Sequence, residues 1–354
     1  MKSIELIEYI GNSDKNGKPI GHANKILKEY IKLLQNNFEC QIATPFYTDD
    51  IIDKNKILKL KYRSLIYIKK KILNEVIDLV KKFLNIHKAL NNKQIDIYWF
   101  CNVDFKWFMY MFLFKNDSKI ACTLFKQYNF SNTFVGKIKQ YIVNKVLSSV
   151  NLVIYSNPNL KFNCSKSLYM PDYYYDQSFY SKFKYEDKKN KVVCLGTMSK
   201  NKLLRETITR FNKMNINLEI VGKFYDDGWY EELKKECNSN VSIYNKYLTE
   251  EEYFYKLSEA KYCIIPYDVK VYKLRTSGVL LESIFLNTIP ITFNSILLEN
   301  NIKGIGIDTL DDLTIDLLND FRTDEFYDWS MSKKEVEFNY DIIKNNLISE
   351  MEYI

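Results

Sequence analysis

The sequence has few of the residues that interrupt regular structure or bind metals. Its 354 residues include only 10 glycines, 6 prolines and 2 histidines. So little glycine and proline argues against long disordered or low-complexity segments. Two isolated histidines cannot form a histidine–cysteine zinc cluster, and adjacent aspartates such as Asp226 and Asp227 are typical of solvated turns. We therefore expect a folded chain with no bound metal.

Long apolar runs and paired cysteines are also missing. No uninterrupted apolar stretch approaches the ~18 residues of a membrane span, and the opening MKSIELIEYIG is too short and too acidic for a signal peptide. The seven cysteines are odd in number and none is spaced as CxxC, so buried, reduced thiols are expected. These absences favour a cytoplasmic protein.

What the sequence does contain is enough apolar surface for two cores. Hydrophobic residues make up 46% of the chain, and its length suits two domains. Strand-like runs alternate with helix-periodic segments, which predicts two Rossmann-like, doubly wound α/β domains facing a ligand-binding cleft. We place them at 1–185 and 186–332, joined by a charged linker at 185–191. A C-terminal helix at 333–354 could pack back on the first domain.

The alternation gives approximate element bounds. The predicted strands are 4–10, 40–43, 95–100, 119–124 and 152–156 in the first half, and 192–195, 218–221, 241–244, 263–266 and 289–293 in the second. The main helices predicted in the second half are 203–214, 229–237, 249–258, 278–286 and 333–349.

The run RTSGVLLES predicts an anion site at a helix start. Thr276, Ser277 and Gly278 enter the helix, where free N–H groups and the positive helix end favour an anion. Gly278 would let a diphosphate approach the backbone closely, and Arg275 adds a guanidinium suited to phosphate. The alternative interpretation is that Thr-Ser-Gly is only an N-cap.

Four segments in order carry a family resemblance: CLGTMSKNK, LEIVGKF, VSIYNKYLTEEEYFYKLSEAKYCIIPYD and LRTSGVLLESIFLNTIPIT. Their order and spacing resemble the donor domain of retaining GT-B glycosyltransferases with two glutamates separated by seven residues, similar to glycosyltransferase family 4. The resemblance is clearest over 190–295 and weaker at GKPIGHANKIL. It implies a hexosyltransferase that uses a nucleotide-sugar donor and needs neither metal nor cofactor. It also implies that the acceptor, a glycan or a lipid-linked glycan of a bacterial surface polysaccharide, binds the first domain.

The resemblance matches the second glutamate of the pair to a residue of this sequence, but the first glutamate has no counterpart. Glu282 matches the residue that accepts hydrogen bonds from the ribose, although a solvated helix charge is the alternative. Eight positions earlier the sequence has Leu274, which has no carboxylate for sugar hydroxyls. Arg275, Tyr272 or Asp268 would have to replace it, or the donor sugar is held differently.

The resemblance also implies cations and glycines at the strand ends of the second domain. Lys202, six residues after Gly196, would stabilise the leaving diphosphate, with Lys200 and Arg205 as alternates. Gly222 and Lys223 end the next strand on the donor side, and Phe224 or Tyr225 would stack on the base. For each lysine, a solvated turn is the competing interpretation.

In the first domain, Gly21 and His22 lie at a predicted strand-to-helix entry. Gly21 would approach the sugar or phosphate, and His22 would contact the acceptor or act as a base; the alternative for His22 is an ordinary surface residue. Asp104 is either a ligand-side residue or a helix cap.

Positive charge is concentrated in one amphipathic stretch. Residues 51–90 contain eleven Lys/Arg and three acids, and their apolar residues form a helical stripe. Over 56–90 this pattern suits peripheral contact with an anionic membrane, at the inner face in a cytoplasmic protein. The competing interpretation is a helix that covers the sheet. No nucleic-acid-binding motif accompanies the charge, so nucleic acid is not an expected partner.

Two other functions remain open. The changed first glutamate is compatible with a catalytically degenerate transferase that serves as a binding or partner subunit. A sugar-nucleotide epimerase of the same architecture is the third hypothesis.

Overall fold

A computed structural model gives the fold and describes residues 1–13, 23–46, 52–53, 56–65, 72–92, 94–114, 117–183 and 187–354. The chain forms two compact units. Unit 1 comprises Met1–Ser156, Leu160–Met170 and Lys344–Ile354, and unit 2 comprises Asn157–Asn159 and Pro171–Ile343. The domain boundary predicted at 185/186 lies outside the described residues and stays a prediction.

Unit 1 is built on a parallel sheet. Its strands are β1 (Ser3–Ile7), β2 (Asn12–Ser13), β3 (Glu39–Thr44), β4 (Ile57–Lys59), β5 (Ser64–Leu65), β6 (Ile97–Phe100), β7 (Lys119–Leu124), β8 (Leu152–Tyr155) and β9 (Ser167–Tyr169). Its helices are α1 (Ala23–Leu34), α2 (Ile72–Leu90), α3 (Phe105–Leu113) and α4 (Phe134–Leu147). Seven strands pair in the order β4-β3-β1-β6-β7-β8-β9, while β2 and β5 form a separate two-stranded ribbon.

The core of unit 1 lies around the central strand β6. All four residues of this strand are buried, as expected for a strand of a parallel sheet covered on both faces. Trp99 stacks on Tyr30 with 4.1 Å between ring centres, and its indole N–H donates to the Thr123 hydroxyl at 2.9 Å. The one polar atom of the indole is thus satisfied inside an apolar environment.

Unit 2 contains the second parallel sheet. Its strands are β10 (Lys189–Leu195), β11 (Leu218–Gly222), β12 (Val241–Asn245), β13 (Ala260–Ile264), β14 (Ile289–Phe293) and β15 (Ile305–Ile307). They pair in the order β12-β11-β10-β13-β14-β15. The helices are α5 (Gln177–Tyr180), α6 (Leu204–Met214), α7 (Asp227–Lys235), α8 (Glu250–Glu259), α9 (Val269–Tyr272), α10 (Gly278–Phe285), α11 (Asn294–Asn300), α12 (Ile315–Asn319) and α13 (Thr323–Val336). Helix α14 (Tyr340–Glu352) begins in unit 2 and continues into unit 1. The predicted α/β class, with two parallel sheets, is confirmed.

Part of the expected linker is a strand. Residues 189–191 open β10, and their charges are paired: the ammonium groups of Lys189 and Lys191 both bind the carboxylate of Glu259 at the end of α8. A run of charges suggested a solvated linker, but here the charges form ion pairs at the start of a buried strand.

The predicted C-terminal helix is two helices. Between α13 and α14 the chain turns at Phe338, which is 1% exposed and packs on Phe285 with 5.6 Å between ring centres. Asn339 then caps α14 by accepting the backbone N–H groups of Asp341 and Ile342. Burial of Phe338 therefore interrupts the helical pattern. The later part of α14, from Lys344, belongs to unit 1.

The sequence predicted reduced cysteines and no membrane-spanning helix. Five of the seven cysteines are buried, and all seven are free thiols. Throughout the described ranges, no helix is long and apolar enough to cross a membrane.

Candidate functional site

Strand order locates the ligand-binding edge of unit 2. The order reverses between β10 and β13, since β11 and β12 lie to one side and β14 and β15 to the other. In a doubly wound sheet, ligands bind beyond the carboxyl ends of the strands that flank this switch point. Gly196 follows β10 directly, and Tyr267 lies three residues after β13.

Two glycines bring the ends of β10 and β11 into backbone contact. Gly196 has a φ of +98°, in the region that favours glycine. A Cβ on Gly222 would lie 1.7 Å from the carbonyl oxygen of Gly196. The need for glycine at 222 therefore follows from packing against the Gly196 loop.

Lys202 is a buried cation beside Gly196. The residue is 6% exposed, and its ammonium donates to the Leu195 carbonyl oxygen at 3.0 Å. A Cβ on Gly196 would stand 3.8 Å from this nitrogen. Buried lysines are normally paired with an acid, yet among the described residues no carboxylate forms an ion pair with Lys202. An anion bound here would offset an uncompensated charge.

Helix α10 begins close to this charge. Its N-cap, Ser277, is 5% exposed and makes no side-chain capping bond. Its hydroxyl lies 3.1 Å from the hydroxyl of Tyr267 instead. Val279 in the first turn faces the same loop, because its Cγ2 would be 3.6 Å from a Cβ on Gly196. An uncapped helix start beside a buried ammonium is a favourable place for an anion.

The start of α10 is less open than the sequence suggested. A Cβ on Gly278 would lie 2.6 Å from Cε2, Cζ and the hydroxyl oxygen of Tyr173. The sequence predicted that the absence of a side chain at Gly278 would leave room for a diphosphate. In this structure the ring of Tyr173 occupies that room. An anion that used the Gly278 amide would have to displace the ring or bind beside it.

Two stacked tyrosine rings lie near both candidate cations. The rings of Tyr267 and Tyr272 are parallel, 1° apart in plane, with 3.6 Å between centres. Burial raises the pKa of both to about 12. For Tyr272, the charges of Lys202 and Arg275 act in the opposite direction, so both cations lie near this ring. The structure therefore brings Lys202, Arg275 and Ser277 together around the tyrosine pair.

Leu274 occupies a turn with positive φ just before α10. The φ and ψ of Lys273 are −53° and 125°, and the φ of Leu274 is +52°. With the Arg275 N–H donating to the Tyr272 carbonyl at 3.1 Å, these values describe a type II turn. Its third position favours glycine, so leucine there costs roughly 1–2 kcal/mol. The carboxylate of Glu299 accepts the Leu274 N–H at 2.6 Å and holds the turn.

Arg275 and Thr276 connect this turn to the helix. Arg275 is exposed and Thr276 half-buried. Asn300 supports the segment by donating to the Arg275 carbonyl at 3.4 Å. Within the described ranges the guanidinium of Arg275 has no ion-pair partner, which leaves its positive charge available beside the tyrosine pair.

Glu282 lies on α10 with its carboxylate engaged. The residue is 5% exposed, so it is not a solvated helix charge. The hydroxyl of Tyr253 donates to its Oε2 at 2.7 Å. Burial, followed by the charge of Glu282, raises the pKa of Tyr253 well above its usual value, which keeps this hydroxyl a donor. Sequence reasoning missed Tyr253, because it lies 29 residues before Glu282 and no local pattern in the sequence indicates that the two side chains are in contact.

Of the two aromatic residues after β11, Phe224 lies in the core and Tyr225 on the surface. Phe224 is fully buried against Tyr230, with 5.2 Å between ring centres, so the idea that it stacks on a base is wrong. Tyr225 is 53% exposed. Lys223 is half-buried, and its carbonyl accepts the Met198 N–H at 3.0 Å, which fastens the Gly196 loop to β11.

The alternates to Lys202 form ion pairs on the surface. Lys200 pairs with Asp226 at 3.1 Å. Arg205 pairs with Glu232 at 3.1 Å and with Glu236 at 2.8 Å. Neither forms the buried contact with the β10 end that Lys202 makes, so Lys202 is the stronger candidate.

In unit 1, Gly21 and His22 lie outside the described residues. Asp104 is a helix cap: it accepts the backbone N–H groups of Lys106 and Trp107, which start α3. Its carboxylate also binds the Tyr9 hydroxyl and the Lys82 ammonium, both at 2.8 Å. The helix-cap interpretation therefore accounts for its position.

Sequence reasoning missed Glu8, directly after β1. Strand order in unit 1 reverses between β1 and β6, which puts Glu8 and Asp104 at the switch point of that sheet. Glu8 is 4% exposed and accepts the Ile10 and Gly11 N–H groups. Burial nonetheless raises its pKa to about 7. The sequence predicted a strand over 4–10 that contains Glu8, so its only indication of this site was an acid within an apolar run, IELIEYIG.

Metal binding has no candidate site in the described parts of the chain, where no three His, Cys, Asp or Glu side chains are arranged to hold an ion. Asp226 caps α7 by accepting the Trp229 N–H, and Asp312 caps a short 3-10 turn at Thr309. The absence of a metal stays a prediction.

The sequence matches no protein-family model and no curated protein. Solved structures are similar along the whole chain. Sucrose-phosphate synthase from Thermosynechococcus elongatus has a TM-score of 0.68 at 13% identity, covering 100% of this chain and 99% of that one. A glycosyltransferase from Rickettsia africae has 0.67 at 13%, covering 99% and 98%. HepE of Anabaena, in complex with UDP and glucose, has 0.65 at 10%, covering 100% of both chains.

At these identities the likeness shows the fold. The chain has the GT-B fold of two Rossmann-like domains, as the sequence predicted. The likeness to the retaining family with paired glutamates, including the assignment of Glu282 to the ribose, stays a prediction.

Proposed function

We propose that the protein is a glycosyltransferase that takes a sugar from a nucleotide-sugar donor. One observation carries the proposal: the buried Lys202 ammonium has no acid partner in the described residues and lies at the switch point of unit 2, beside the uncapped start of α10. A diphosphate supplies the negative charge that this place lacks. The fold shared with a UDP-bound protein and with glycosyltransferases supports the same ligand class.

In the proposed reaction, unit 2 holds the donor diphosphate. Lys202 and Arg275 offset the charge that develops on the leaving diphosphate, and the helix start adds its partial positive charge. Glu282, oriented by Tyr253, accepts from the ribose. We further propose a metal-independent hexosyltransferase that retains the anomeric configuration. Its acceptor would be a glycan or lipid-linked glycan of a bacterial surface polysaccharide, reached at the cytoplasmic face of the membrane.

Calorimetry with UDP, GDP and CDP, and then with the corresponding sugar nucleotides, tests the donor site. We expect one diphosphate to bind, and Lys202→Met to weaken it about 10- to 100-fold, the effect of losing one charge-assisted hydrogen bond. Lys200→Met is the matched control, because that lysine pairs with Asp226 at the surface; its affinity should stay within about twofold. Equal binding by Lys202→Met would refute the assignment.

A catalytically degenerate subunit is the second candidate, because Leu274 replaces a carboxylate and Tyr173 covers Gly278. Such a subunit would bind none of the sugar nucleotides. Donor turnover, measured as release of the nucleoside diphosphate, therefore separates the two functions.

A further inference from the structure

Three neighbouring helices of unit 1 expose large apolar side chains. Helix α3 packs against both α2 and α4. The exposed residues are 42–79% accessible and include Val76 and Val80 on α2, Phe112 and Leu113 on α3, and Phe134 and Ile138 on α4. We call this surface the apolar face. Exposed apolar residues that stand singly are ordinary, but a cluster on adjacent helices marks a binding surface.

The apolar face is continuous from helix to helix. The rings of Phe112 and Tyr141 join α3 to α4 with 6.1 Å between centres. The rings of Phe83 and Phe114 join α2 to α3 with 6.2 Å between centres. Aromatic contacts therefore bridge both boundaries between the three helices.

The apolar stripe of α2 is not the side that covers the sheet, which contradicts that interpretation of the sequence. Val76 and Val80 are 52% and 51% exposed, whereas Ile86 and Ala89 are fully buried. The helix thus has a second apolar side that faces the core, and Val76, Val80 and Leu84 of the stripe seen in the sequence are exposed.

The charge around the apolar face is strongly positive. Helices α2, α3 and α4, with the N-cap Asp104 of α3, together carry seven lysines and three acids, a surplus of four positive charges. Asp78 pairs with Lys82 and Lys106, and Asp104 pairs with Lys82. Helices α3 and α4 contain no acid at all. Lys137 and Lys145 are exposed on α4, beside the apolar residues.

We propose that the apolar face docks on an anionic lipid bilayer, with the three helices lying in the plane of the interface. Apolar and aromatic side chains would enter the headgroup region while the lysines bind anionic headgroups. This docking rests on the proposed function, because it would bring the transferase to the membrane that holds a lipid-linked acceptor. It also extends the membrane contact expected at 56–90 to α3 and α4.

A second copy of the chain fits this surface less well. In a symmetric dimer the same surface meets itself, so two positively charged faces would be apposed and repel each other. An anionic bilayer instead supplies charges of the opposite sign along the whole surface.

Co-sedimentation of the full-length protein with vesicles tests the inference. Binding is expected to phosphatidylglycerol-containing vesicles, to fall at high salt, and to be much weaker with phosphatidylcholine alone. Phe134→Ser with Ile138→Ser should lower partitioning at least about tenfold. Lys137→Glu with Lys145→Glu should lower it about 30-fold or more. All four side chains project into solvent, so folding should be preserved, and thermal unfolding checks this.

Matched controls lie on unit 2. Leu298→Ser replaces a leucine that is 76% exposed, and Lys213→Glu with Lys235→Glu reverses two exposed lysines; each should bind vesicles like the unaltered protein. Equal binding to neutral vesicles, no binding to anionic ones, or equal losses in the controls would overturn the proposal. So would a dimer in light scattering that Phe134→Ser with Ile138→Ser converts to a monomer.

The docking inference and the donor site can fail separately. Nucleotide binding measured without vesicles should be unchanged in Phe134→Ser with Ile138→Ser. If nucleotide binds but anionic vesicles do not, only the docking inference is wrong.

Discussion

Replacement of the buried Glu5 by glutamine should stabilise the protein at neutral and higher pH. Glu5 lies on β1 with 0% exposure, and its Oε1 accepts from Asn92 at 2.9 Å. Its Oε2 is buried and has no hydrogen-bond donor among the described residues. Burial therefore raises the pKa of Glu5 from 4.5 to about 7, against the opposing effect of the Asn92 bond.

The sign and size of the effect follow from this pKa. Because the pKa is higher in the folded protein, folding takes up a proton, and the associated stability is lost as pH rises through about 7. One pKa unit corresponds to about 1.36 kcal/mol, so the ionised carboxylate costs about 3 kcal/mol at pH 8. Glutamine carries no charge and keeps an oxygen that can accept from Asn92.

Urea unfolding of Glu5→Gln at two pH values measures this cost. The variant should be within about 0.5 kcal/mol of the unaltered protein at pH 4.5, and up to about 3 kcal/mol more stable at pH 8. Glu8 also has its pKa raised to about 7, but it is present in both proteins and cancels in the difference. Glu39→Gln, at an exposed position on β3, is the control and should change little at either pH. A variant no more stable than the unaltered protein at pH 8, or a gain that is the same at both pH values, would refute the reasoning.

Two further predictions concern the edge of unit 2. Gly222→Ala places a Cβ 1.7 Å from the Gly196 carbonyl oxygen, so unfolding should require about 3 kcal/mol less, or fail to show a folded state. Gly228→Ala, whose Cβ meets only Asp226 at 3.4 Å, should be neutral or stabilising in urea unfolding, and equal losses in both variants would contradict the packing argument. Tyr173→Ala uncovers the start of α10, and calorimetry should show severalfold tighter binding of the nucleoside diphosphate. A weaker affinity would show that the tyrosine helps to hold the ligand.

The sheets of both units could be predicted because strand and helix patterns differ in period. Strands β7 and β14 have the bounds expected from their apolar runs, Lys119–Leu124 and Ile289–Phe293. Parallel strands also align their carboxyl ends, so Gly196, Lys202 and Ser277 could be grouped from the sequence alone. Local pattern and topology together were sufficient for this part of the site.

Side-chain partners across long stretches of sequence could not be predicted in the same way. Tyr173 over Gly278 and Tyr253 on Glu282 depend on the final packing of unit 2, and nothing near either tyrosine specifies its partner. The stripe of α2 shows a related limit. Periodicity reveals that one side of a helix is apolar, but it does not reveal whether that side or another faces the core.

The residues near Leu274 bear on how the proposed donor sugar would be held. Of the three candidates to replace the absent glutamate, Asp268 already caps α9 through the Lys270 N–H, and Tyr272 is stacked on Tyr267. The exposed Arg275 remains. A carboxylate only accepts hydrogen bonds, whereas a guanidinium only donates them. Under the proposed function, this exchange would change the hydrogen-bond polarity at the sugar end of the site while leaving the diphosphate contacts of Lys202 and α10 intact. Donor binding and sugar choice would therefore rest on separate groups. A sugar hydroxyl both donates and accepts, so the guanidinium would bind its oxygen where a carboxylate would bind its hydrogen.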